Sequence, residues 1–140
     1  MSLAVLQGAS VRFTEPTGLR FTCTAEAEDF AVISELGTEI SYGSERLRIP
    51  ATVFLSGDPN SSEKGGKVTY TGVLTHIKTS HVAARFTARA YAVVNGVTVY
   101  SESDYTASLK ETASAALRDP YAAIAENNQA LAVLKELSGS

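Results

Sequence analysis

The side chains of this 140-residue chain that could do chemistry by type are two histidines, one cysteine and a polar, glycine-rich loop. His76 and His81 bracket the connector Ile77-Lys78-Thr79-Ser80. Two imidazoles at that spacing, with no cysteine or carboxylate beside them, fall short of a zinc ligand set, and both read as surface side chains. Cys23 has no partner for an internal disulfide, and its place in the alternating run LRFTCTA makes it a small buried hydrophobe rather than a nucleophile. In the loop GDPNSSEKGG, Asp58, Asn60 and Ser62 copy the first alternate ligands of a calcium loop. Glu63, however, stands where that loop needs glycine, and Thr69 stands where it needs a closing acid. Gly65-Gly66-Lys67 echoes a phosphate loop without its first glycine or the helix that must follow. No nucleophile elbow, zinc-binding helix or paired carboxylates occur. The sequence therefore predicts a protein that is not an enzyme, with no catalytic residue, no metal and no cofactor; a small hydrolase is the lesser alternative.

Recognition is what remains, and it centres on the stretch Arg85 to Glu102. Two runs rich in β-branched and aromatic residues flank Asn95-Gly96, the strongest short-range signal for a type I′ hairpin. That turn sets Val94 against Val97, Ala92 against Val99, Tyr91 against Tyr100 and Arg89 against Glu102. One face then carries Phe86, Ala88, Ala90, Ala92, Val94, Val97 and Val99, and reads as core. The other carries Arg85, Thr87, Arg89, Tyr91, Thr98, Tyr100 and Glu102. Tyr91 and Tyr100, flanked by Arg89 and Glu102, form a candidate platform for a sugar ring or a partner loop. The alternative is that this face is covered and both tyrosines are core, with their hydroxyls at the rim.

The elements that must position these residues are short strands. Ala9 to Phe13 and Gly18 to Thr24 flank a turn at Glu15-Pro16-Thr17-Gly18. Phe30 to Leu36 leads through Gly37 to Glu39-Ile40-Ser41-Tyr42, and Gly43 is the next break. Pro50 interrupts Leu47 to Leu55 and places that strand at a sheet edge or the proline at its start. Gly57 to Gly66 reads as a solvated hairpin tip, and Lys67 to His76 as a strand with Val68, Tyr70, Gly72 and Leu74 on one face and Thr69, Thr71, Val73 and Thr75 on the other. The expected fold is an antiparallel β-sandwich, immunoglobulin-like or jelly-roll-like, with about eight strands and C-terminal α-helices.

After Asp104 the periodicity changes from two to about 3.6. Ser108 to Arg118 reads as one helix, and Pro120 to Leu137, capped by Asp119, as a second. Residues 1–106 are thus expected to form the sandwich and 107–140 a helical extension. Tyr121, Ile124, Leu131 and Leu134 form an apolar stripe broken by Asn127 and Asn128, able to pack on the sandwich or to dock a neighbouring subunit in a homo-oligomer. Twelve basic residues scattered among fifteen acids, net charge −3, give no field for nucleic acid. The first residues lack both the basic start and the apolar run of a signal peptide, and no later run would insert in a membrane. The chain is expected either to reach its place of work trimmed from a larger or signal-bearing protein, or to assemble inside a cell.

The segments GASVRFTEPTGLRFTCTA, ISELGTEISYG and YTGVLTHIKTSHVAARFTARAYAVVNGVTVYSES, in this order, resemble a β-rich module of large surface and secreted proteins of clostridia-like Gram-positive bacteria. The resemblance covers about residues 8 to 117. It implies a non-catalytic module displayed at a cell surface beside immunoglobulin-like repeats and glycan-active enzymes, attaching to a protein partner or a surface glycan. The helical tail after Pro120 departs from that pattern. It also suits a phage virion protein, such as a capsid decoration or a head–tail component, assembled through its C-terminal helix.

Overall fold

The structure, a computed structural model, describes residues 1–12, 18–57, 65–75, 77, 81 and 83–118. Among the described residues nine strands and one α-helix follow in chain order: β1 (Ser2–Arg12), β2 (Gly18–Ala27), a 3-10 turn (Phe30–Val32), β3 (Ile33–Tyr42), β4 (Glu45–Pro50), β5 (Phe54–Ser56), β6 (Gly66–Thr75), β7 (Phe86–Val94), β8 (Val97–Tyr100), β9 (Tyr105–Ala107) and α1 (Leu109–Arg118). They form two antiparallel sheets packed as a sandwich. One has the order β1-β2-β6-β5 and the other β4-β3-β7-β8, with β9 also pairing β7.

Side-chain alternation decides what lies between the sheets. The first sheet sends large residues inward, Leu19, Phe21, Val68 and Tyr70, while the second meets them with small ones, Thr38, Ala88, Ala90 and Ala92; all are fully or almost fully buried. Large against small lets the two layers interdigitate. Each buried aromatic or aliphatic chain contributes about 1.5–3 kcal/mol. The alanine face of β7 is thus core, as its spacing predicts.

Polar groups in this layer are satisfied: the Tyr70 hydroxyl crosses the sandwich to donate to the Gly37 carbonyl at 3.0 Å, and the Cys23 thiol lies 3.4 Å from the Thr38 hydroxyl. Thr38 on β3 thus lies against β2, and it also packs closely on the neighbouring strand β6. Gly72 permits it, since a Cβ there would lie 2.5 Å from Thr38 Oγ1. Cys23 is sealed in, and burial pushes its thiol up to about 11, against a smaller opposing pull from the Thr38 bond.

Several boundaries depart from the sequence reading. β1 starts at Ser2, well before Ala9, and its register slips between Val5 and Ala9 around Gly8, whose φ of +101° suits only glycine. Phe30–Val32 is a 3-10 turn and not strand; Asp29 caps it by accepting from the Ala31 amide at 2.9 Å. β3 runs unbroken through Gly37. Leu47 to Leu55 divides at residues 51–53 into β4 and β5, which belong to different sheets. Among the described residues β4 is an edge strand, one of the two placements Pro50 allows, and the proline ends the strand rather than starting it.

Tyr105–Ala107 adds a strand where only a change of period was expected. Ser108 then starts α1 with its hydroxyl accepting from the Glu111 amide at 3.1 Å, and Leu109 and Ala113 enter the core beside Val11, Phe86 and Ala107. The first helix of the expected extension therefore packs on the sandwich. The helix expected over 120–137, with Tyr121, Ile124, Leu131 and Leu134, lies outside the described residues, as do the loop over 58–64 and His76.

Candidate functional site

Two tight turns set the registers that build the outer face of the β4-β3-β7-β8 sheet. Gly43, at φ +60°, opens a two-residue turn between Tyr42 and Glu45, and Asn95 and Gly96, at φ +50° and +80°, form the type I′ turn between β7 and β8. The first turn sets Glu39 directly opposite Arg48, and the long-range pairing of β3 with β7 sets it opposite Arg89 on the other side. In the next row Pro50, Gly37, Tyr91 and Tyr100 are successive neighbours across four strands.

Glu39 is the hub. Arg89 donates to its Oε1 through Nη2 at 2.8 Å and Nε at 3.3 Å, and Arg46 pairs with the same oxygen at 3.6 Å. Oε2 accepts from Arg48 Nε at 3.3 Å and from the Tyr100 hydroxyl at 3.0 Å. Although burial alone would push the carboxyl up, the bonds from Arg89, Tyr100 and Arg48 together outweigh it and hold Glu39 below its ordinary value. The hub stays ionised.

The tyrosines lie beneath this layer. Gly37 gives Tyr91 its seat, because a Cβ there would lie 2.6 Å from the ring. Tyr91 is fully buried, and its hydroxyl donates to Glu35 Oε2 at 2.5 Å. Burial first, and that bond second, push the hydroxyl's pKa well up, so it stays protonated. The Arg48 guanidinium lies over the Tyr91 ring at 5.1 Å and donates through Nη2 to the Tyr100 hydroxyl at 2.7 Å, while Arg89 covers the Tyr100 ring at 3.5 Å. Among the described residues the cover over this face is therefore a layer of arginine side chains and not a second sheet. The ring faces carry guanidinium groups.

Three of the four residues expected here, Arg89, Tyr91 and Tyr100, come together. Glu102 does not. The Tyr91–Tyr100 register would bring Ser103 opposite Ala88, but Tyr105 stands there, two residues later. The Ser101 hydroxyl holds this irregularity by accepting from the Ala90 amide at 3.0 Å and donating to the Ser103 carbonyl at 2.6 Å. Glu102 is left exposed in a bend, and Arg89 takes Glu39 in its place. Glu35, Gly37, Glu39, Arg46 and Arg48 were missed. The signal for two of the five was Gly43-Ser44, which read as a two-residue turn sets Glu39 against Arg48.

Three guanidinium groups, Arg46, Arg48 and Arg89, thus share one buried carboxylate, +3 − 1 = +2, in a chain of net charge −3. Glu35, two rows along, lowers the wider face to +1. Arg46 and Arg48 keep 64 % and 43 % of their side chains exposed. Such an array can hold a carboxylate or another planar anion through paired N–H donors. Among the described residues no three His, Cys, Asp or Glu side chains converge as a metal site, and no helix is long and apolar enough to cross a membrane. Comparison with protein-family models, curated proteins and solved structures finds no match to this chain.

Proposed function

We propose that the chain is a non-catalytic binding module that attaches to a carboxylate-bearing partner through the arginine-covered outer face of the β4-β3-β7-β8 sheet. The observation that carries this reading is the excess of guanidinium over carboxylate around Glu39, built on buried tyrosines and a glycine seat. A rigid sheet with side chains fixed by cross-strand bonds loses little entropy when a ligand arrives. The chemistry of the face also favours holding over turnover. Glu39 is saturated with donors and kept ionised, and the Tyr91 hydroxyl is kept protonated, so neither is poised to exchange a proton near neutral pH. Display at a bacterial surface, which the resemblance implies, is the setting that goes with this proposal.

The test is retention on immobilised poly-L-glutamate at low ionic strength, with neutral dextran as the control. Wild-type protein is expected to bind the acidic polymer alone and to elute with salt. Arg46→Glu combined with Arg48→Glu is expected to weaken retention about tenfold or more. Equal retention of both proteins, or none by the wild type, would refute the reading.

A further inference from the structure

Resting on that reading, we infer that the partner binds as an extended segment of another protein, added as a sixth strand to the free edge of β4, with acidic residues alternating with an apolar one. Three features of β4 converge on this mode.

The first is backbone. Among the described residues β4 pairs only with β3. A two-residue turn makes its flanking pair, Tyr42 with Glu45, the one that exchanges both hydrogen bonds; Leu47 and Ile49 then also bond to β3, while Arg46 and Arg48 direct their N–H and C=O groups outward. Pro50 falls in the same outward set, where a missing N–H leaves β3 nothing to lose. An extended peptide meets these groups as a new strand does.

The second is charge. Arg46 and Arg48, two residues apart, project from the outer face, so the residues of an added strand opposite them lie on that same face. Acidic side chains there meet the +2 excess directly. A second copy of this chain does not fit. Antiparallel pairing of β4 with itself, centred on Arg46, Leu47 or Arg48, brings guanidinium against guanidinium, and like charges directly opposite destabilise a sheet.

The third is the groove below. Leu47 points inward by register, yet it is 50 % exposed, because β5 is too short to cover that end of β4. It borders an open cavity of about 490 Å³ together with Ile40, Leu74 and Phe86, walled by Tyr42 and His81, whose tilted rings lie 5.4 Å apart. The added residue opposite Leu47 points into this space. An apolar side chain between two acids fills it.

The experiment uses the wild-type protein and the peptide acetyl-TEVEVET-amide, with acetyl-TEEEVVT-amide as the same composition in another order. Binding and the amide hydrogen exchange of Arg46 and Arg48 are followed by NMR. The alternating peptide is expected to bind more tightly and, at saturation, to slow exchange at both amides about tenfold or more. Absence of binding, or equal binding of the two peptides, overturns the proposal. Binding with unchanged exchange overturns strand addition while leaving the carboxylate-binding face standing. Arg46 and Arg48 amides already protected in the free protein, as they would be if residues 119–140 held the edge, overturn it as well.

Discussion

Replacing Glu39 by glutamine preserves size and removes the charge on which Arg46, Arg48, Arg89 and Tyr100 converge. Hydrogen bonds to a charged group are worth about 1.5–3 kcal/mol each when desolvated, but exposed ion pairs only about 0.2–1 kcal/mol. Arg46 and Arg48 are nearer the exposed limit, and Arg89, 32 % exposed and doubly bonded, lies between the two. Since glutamine still offers one acceptor oxygen, the expected loss at pH 7 is about 2 kcal/mol, a fall in melting temperature of about 5–10 °C for a chain of this size. The effect must depend on pH with a definite sign. The folded carboxyl holds its proton less readily than the ordinary value of 4.5, so its stabilisation is complete above that pH and is lost as pH falls through the lower folded value. Urea unfolding of both proteins from pH 7 down to about pH 2.5 should therefore show a gap that is constant at first, narrows below about pH 4.5, and closes. A gap that persists unchanged into acid, or none at pH 7, would refute the assignment of Glu39 as an ionised hub.

Other perturbations separate the layers of the molecule. Gly72→Ala drives a methyl group against Thr38, and is expected to cost about 1–3 kcal/mol in urea unfolding, partly recovered by adding Thr38→Ala; no cost would mean that the sheets do not approach there. Tyr91→Ala should cost about 3–5 kcal/mol and Tyr100→Ala about 1–2 kcal/mol, because the first ring is fully buried and the second only partly so. The reverse order would contradict the described face. The Cys23 thiol, sealed in the core and pushed up to about 11, should resist a thiol reagent at pH 8 until the protein is unfolded. Immediate labelling of native protein would contradict its burial.

How much of this was legible in the sequence varied with the range of the interaction. Asn95-Gly96 encodes its own turn through two left-handed residues, and the register it imposes gave the Tyr91–Tyr100 pair and the alanine core face correctly. The same register failed three residues earlier on β7. Ser101 satisfies the Ala90 amide with its side chain and lets two extra residues enter, which no alternation pattern announces. Gly37 reads locally as a break. Its actual role is to leave room for a ring from β7, a neighbour 54 positions away whose pairing only the fold reveals. β1 was half hidden because Leu3, Val5 and Leu6 do not alternate cleanly across a bulge at Gly8. Glu39 was hidden for the same reason as Gly37. Its meaning depends on β3 lying between β4 and β7, and that order is a property of the closed sandwich rather than of any one segment.

The account stands most directly on where an acidic ligand meets the protein. Titrating isotopically labelled wild-type protein with poly-L-glutamate and mapping the NMR shifts should locate the changes at Arg46, Arg48, Arg89 and Tyr100, with the β1-β2-β6-β5 sheet unaffected. Shifts centred on that other sheet, or spread evenly over both, would contradict it.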